Sequence, residues 1–110
     1  MAITEIKPKD QEELKQKVWE RKPGEEASLI REVRSQFVGA TAGSWRACGE
    51  GLQDVPVTTS CLVYIIIGKC KVGGEELSEP NLGEATAGYL ITGETSIQLQ
   101  SETIVIFFKY

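Results

Sequence analysis

"SCLVYIIIGKC", residues 60–70, holds six consecutive apolar residues, Leu62 to Ile67, ended by Gly68 and flanked by Cys61 and Cys70. Read as a strand, the run puts Cys61, Val63, Ile65 and Ile67 on one face and Leu62, Tyr64 and Ile66 on the other. Both sets are apolar, so the strand is expected to be buried on both sides. Covering the even face takes a second sheet or a second subunit, because a monomer seldom exposes such a patch. This is core, not a catalytic floor.

Outward from this run the chain is punctuated like an all-β protein. "LQDVPVTTSCLVYIIIGKCKVGGEEL" reads as two strands with a tight "TTS" turn, followed by a glycine hairpin at Gly73 and Gly74. "GEATAGYLITGETSIQLQSETIVIFFKY" supplies three more short strands, separated by Gly88, Gly93 and the Ser101-Glu102 pair. "AGSWRACGEG" is a short strand closed by glycines, and "ASLIREVRSQFVGA" reads as a strand pair or a strand and a turn. Strands at intervals of about 8 to 12 residues with turn residues between them indicate a barrel or sandwich.

Only the beginning reads as helical. In "PKDQEELKQKVWERKPG", Asp10 is an N-cap, acidic residues fill the first turn, basic residues the last, and Pro23-Gly24 stops the helix. Its apolar side is thin, Leu14 and Val18 with Trp19 at its edge, enough to dock on something larger. The expected division is an N-terminal arm, 1–24, and a β domain, 25–110.

The 110 residues amount to one domain, and 41% hydrophobic with 25% charged is ordinary for a soluble globular protein. The apolar runs are too short to span a bilayer and no basic-then-apolar leader opens the chain, so a cytoplasmic location and no membrane partner are expected. A net charge of -4, with both signs interspersed, argues against a nucleic-acid partner. The one basic cluster, Lys15, Lys17, Arg21 and Lys22, is diluted by Glu12, Glu13 and Glu20, as on a solvated helix face.

The chain has no histidine. That removes the commonest general base, the commonest transition-metal ligand and the usual partner of a nucleophilic serine or cysteine. Cys48, Cys61 and Cys70 lack the paired spacings of zinc sites. If 61–70 is a single strand, Cys61 and Cys70 lie roughly 30 Å apart at about 3.3 Å per residue, beyond the about 7 Å a disulfide allows. Cys48 with Cys61 is geometrically open but unsupported, and reduced thiols acting as small hydrophobes are expected.

The spacing of Gly49, Val55, Val57, Cys61 and Gly68 resembles the first motif of the cupin superfamily, small β-barrels whose motif sets two histidines and a glutamate between two glycines. Gly49 and Gly68 fall on the glycines, Val55 and Val57 on the histidines, Cys61 on the glutamate. Gly83-Glu84 resembles the family's Gly-Asp turn and Gly93 the glycine of its Pro-x-Gly turn. The third histidine position then lies near Ser96. The closing "SETIVIFFKY" is similar to the last strand of small cupins of the ethanolamine-utilisation type. The resemblance covers roughly residues 40–110 and implies a cupin-like β-barrel or jelly roll, to which the short N-terminal helix read above is added. Valine has no lone pair to donate and one cysteine cannot hold an ion alone, so no metal and no cofactor is expected.

Candidate ligand contacts are Trp45, Asp54, Val57, Cys61, Tyr64 and Tyr89, with Arg46 beside them, because aromatic walls with a few polar groups make small-molecule pockets. Core packing accounts for Trp45 and Tyr64 equally well, and Asp54 also suits a turn. Glu75 and Glu76 read as a solvated turn, and Glu84 and Glu94 as turn residues near the barrel mouth. The expected function is a non-catalytic, metal-free module that binds a small polar molecule or acts as a homodimer. Two alternatives are a histidine-free isomerase or lyase using Glu84, Glu94, Tyr64 or Tyr89, and a structural subunit of a larger assembly.

Overall fold

The computed structural model describes residues 2–78 and 87–110. The elements in chain order are β1 (Ala2–Ile6), α1 (Gln11–Trp19), α2 (Glu26–Ser35), β2 (Thr41–Cys48), β3 (Gln53–Val57), β4 (Cys61–Ile67), β5 (Lys69–Val72), β6 (Glu75–Ser78), β7 (Gly88–Thr92), β8 (Thr95–Leu99) and β9 (Thr103–Lys109). They form two antiparallel sheets, of order β1-β7-β4-β9-β2 and β3-β8-β5-β6. The protein is mainly β, as expected. The sheets are not closed into a barrel: among the described residues no ladder joins β2 to β3 or β1 to β6, and the molecule is a two-sheet sandwich.

The quoted run becomes β4, at the centre of the five-stranded sheet, and Leu62, Val63, Tyr64, Ile65 and Ile66 are all buried. Val63 and Ile65 face the other sheet, in a core with Ile91, Ile97, Leu99 and Val105. Leu62, Tyr64 and Ile66 face the other way and meet Leu14, Leu29, Val33 and Phe37. The cover of the even face therefore comes from the chain's own helices, in place of the second sheet or second subunit that sequence reasoning assigned to it. Ile67 departs from strict alternation. The register slips from Ile65↔Val105 to Ile67↔Ile104, so Ile66 is an extra residue and Ile67 joins the helix side.

The strand ends at Gly68, whose φ of +89° suits glycine, and the chain passes into the other sheet at Lys69. Residues 61–70 are thus not one strand, and the separation of Cys61 from Cys70 drawn from a continuous strand does not apply. All three cysteines are free thiols. Thr103, wholly buried, clamps the crossing: Lys69 N donates to its Oγ1 at 3.2 Å, and Oγ1 donates to Lys69 O at 2.9 Å. At Gly73-Gly74 both φ values are positive and Val72 pairs with Glu75, the two-residue hairpin geometry that glycine permits. The other expected turns act differently. β3 and β4 lie in different sheets, as do β7 and β8, so "TTS" and Gly93-Glu94 are inter-sheet corners.

α1 starts where expected, with the Asp10 side chain accepting from Glu13 N at 3.1 Å. The stretch read as strand or turn after Ala27 is instead α2, which corrects the sequence reading. Leu29 and Val33 stand one helical turn apart and Phe37 follows at the same spacing, so the three line one side and are buried. Gln36 ties the helices together: Asp10 N donates to its Oε1 at 2.7 Å, and its Nε2 donates to Glu13 Oε2 at 3.3 Å. The helical layer presses hard on the sheet. A Cβ added at Gly43 would lie 2.6 Å from Ile30 Cγ2, and one at Gly88 would lie 3.1 Å from the Phe37 ring.

Candidate functional site

Two regions carry the residues that chemistry would need: the rim of the inter-sheet core, and a groove outside the five-stranded sheet. In β3, Val55 and Val57 point between the sheets, as strand alternation requires, with Gln53↔Leu99 and Val57↔Thr95 fixing the register. Cys61 packs on the same core from β4, and Tyr89 from β7. Ile3 and Cys61 both pair with Ile91, so the three form a row across β1, β7 and β4, with Tyr89 two residues along on the same face. Ile91 is wholly buried, whereas Ile3, Val55, Cys61 and Tyr89 are only partly so. The rim is accordingly hydrocarbon, one phenol and one thiol.

Burial pushes the Cys61 thiol up to about 11, and the same cause raises Cys70, deep between the sheets, to about 11. At neutral pH both are protonated thiols, poor nucleophiles and poor metal ligands. Cys48 is buried too, its Sγ 3.6 Å from Gly51 O. Among the described residues no group of three His, Cys, Asp or Glu side chains is placed to hold a metal ion.

The six candidate contacts divide among three surfaces. Val57, Cys61 and Tyr89 come together on the inter-sheet core. Tyr64 is buried on the opposite face of the same sheet, its ring 6.0 Å from that of Phe37. Trp45 is half-buried on that helix side as well. Asp54 is exposed on the edge strand β3, where Gln98 Nε2 donates to its Oδ1 at 3.4 Å. Arg46, Glu75, Glu94 and Ser96 are exposed, and Glu76 pairs with Lys69 at 3.8 Å. Gly83 and Glu84 lie outside the described residues. Tyr64 and Tyr89, proposed from sequence as an acid and base, stand on opposite faces of one sheet and do not share a site.

The groove joins the end of α1 to the sheet. About 580 Å³ of space is bounded by Trp19, Arg21, Lys22, Pro23, Glu25, Glu26 and Leu29 on the helical side and by Trp45, Ile67 and Ile104 on the sheet. Trp19 is 79% exposed. Sequence reasoning placed Trp19 at the edge of the helix's apolar stripe and missed the groove, because only the fold sets it opposite Trp45. The signal available was that the chain has just two tryptophans, one of them beside Arg-Lys-Pro-Gly.

Among the described residues no helix is long and apolar enough to cross a membrane. Set against protein-family models, curated proteins and solved structures, the chain matches none of them.

Proposed function

We propose that this chain is a non-catalytic, metal-free protein of cupin-like jelly-roll type that binds a small molecule at the rim of its inter-sheet core. The strand order supports the jelly roll. From β2 to β9 each strand lies in the other sheet from the one before it, except across the β5–β6 hairpin, the pattern of a double-sheet Greek-key roll. The observation that carries the functional reading is the orientation of Val55, Val57 and Cys61. All three side chains face the inter-sheet core, where the cupin motif sets its coordinating groups; the two valines have no lone pair to donate, and one thiol does not hold an ion alone.

A site of this composition receives the apolar part of a molecule against Ile3, Val55 and Tyr89 and leaves its polar groups at the solvent edge. Function does not follow from fold, so the reading rests on these residues and not on the jelly roll itself. Methyl-detected NMR of the whole chain, titrated with a metabolite library, tests it. Ligands are expected to move the methyl signals of Ile3, Val55, Val57 and Ile91, and Cys61→Phe, which fills the rim, to abolish the shifts. A library that leaves these signals in place, or one in which a member is converted to product, contradicts the proposal.

A further inference from the structure

We propose that the groove between the end of α1 and the five-stranded sheet is a second site, independent of the inter-sheet rim, and that it binds a neutral oligosaccharide. Both tryptophans of the chain line this one groove. Trp19 is 79% exposed, while Trp45 is anchored against the helix-side core. The two make a free stacking platform and a fixed wall. The turn that follows Trp19 is defined by the Glu25 N bond to Lys22 O at 3.2 Å and by Gly24 at a φ of +88°.

The charges select the class of ligand. Arg21, Lys22, Glu25 and Glu26, two of each sign, line the groove; among the described residues none of the four is in an ion pair, and Arg21, whose Nη1 donates to Val18 O at 2.6 Å, keeps further N–H donors. An anion entering the groove meets two carboxylates, and a cation meets two basic groups. A sugar carries no charge, and its hydroxyls both accept from ammonium and guanidinium and donate to carboxylates, so it uses all four. The apolar C–H faces of its rings suit flat indole surfaces, and about 580 Å³ is within the roughly 300–1,000 Å³ of small-molecule sites.

The placement of the tryptophans supplies the assay, since tryptophan emission, excited selectively beyond the tyrosine absorption band, reports on this groove and not on the inter-sheet rim. The whole chain is titrated with short neutral oligosaccharides of α- and β-linked hexoses and N-acetylhexosamines, and separately with a heparin oligosaccharide and an oligoproline peptide. A saturable emission change is expected with at least one neutral sugar, at an affinity that salt leaves unaltered because no net charge is neutralised. Trp19→Ala, at an exposed position, is expected to keep the melting temperature and weaken binding at least tenfold, and Trp45→Phe to weaken it with packing retained. The proposal is overturned if no neutral sugar binds, if only heparin or oligoproline binds, or if Trp19→Ala binds as the parent does.

Discussion

Gly43→Ala is the sharpest probe of how the helices seat on the sheet. The added methyl carbon would lie 2.6 Å from Ile30 Cγ2 and 2.8 Å from Phe108 Cε1. Carbon atoms in contact prefer about 3.5–4.0 Å, so roughly 1 Å of displacement is required from each neighbour. Phe108 is 1% exposed in the helix-side core and has nowhere to go, so α2 must lift at Ile30. Overpacking of this kind costs about 1–3 kcal/mol. At about 2.1 cal/mol/K per residue, a chain of this length has an unfolding entropy of roughly 0.23 kcal/mol/K, so the melting temperature should fall by about 4 to 13 °C. Calorimetry of Gly43→Ala, Ile30→Ala and the double variant reads it. The double variant is expected to be more stable than the sum of the singles predicts by about 1 kcal/mol, because the truncated Ile30 makes room for the methyl. Strict additivity together with an unchanged melting temperature for Gly43→Ala would refute the close seating of α2 on β2.

Thr103→Val deletes both hydrogen bonds that hold Lys69 at the sheet crossing and leaves its N–H without that partner, so a loss of about 1–3 kcal/mol is expected in urea unfolding. Burial favours the neutral thiols of Cys61 and Cys70, whose folded values near 11 stand above the ordinary 9.0. Their contribution to stability is therefore whole below pH 9 and lost as pH rises from 9 to 11; Cys70→Ala should flatten that part of the melting-temperature profile, and an unaltered profile would count against it. Asp10→Ala removes the cap on α1 and should cost about 1 kcal/mol in the same urea assay. With the even face of β4 covered from within the chain, light scattering should give the 12.1 kDa monomer, and a mass of twice that would point to another self-associating surface.

Much of this fold was legible where a local signal carries the physics. The unbroken apolar run at 62–67 announced a strand buried on both faces, Gly73-Gly74 announced its hairpin, and Asp10 its cap. α2 was misread because its start is weakly marked. Glu25 makes no side-chain cap bond, the helix follows a Pro-Gly stop by two residues, and Ile30 and Val33 are β-branched, which lends the stretch a strand-like look. The four-residue spacing of Leu29, Val33 and Phe37 was the overlooked sign. β1 was passed over since Ala2–Ile6 is short and pairs with β7, more than eighty residues away, and no local pattern reveals such a partner. For the same reason glycine turns marked where strands stop but not which sheet the next one enters, and a closed barrel was read where two sheets stand apart. Of the candidate contacts, motif spacing named Val57 and Cys61 and residue type named Tyr89, and these three share the inter-sheet face. Trp45 and Tyr64 were grouped with them only by residue type, which does not tell one face of a sheet from the other.

At the inter-sheet rim, hydrocarbon and a single protonated thiol stand where a metal would need several donors. Elemental analysis of the chain, purified without chelators from cells supplied with iron, manganese, nickel and zinc, puts that claim to the test. The expected result is a trace of each metal, far below one atom per chain and unchanged by Cys61→Ser. A full equivalent of any of these metals that disappears with Cys61→Ser would contradict it.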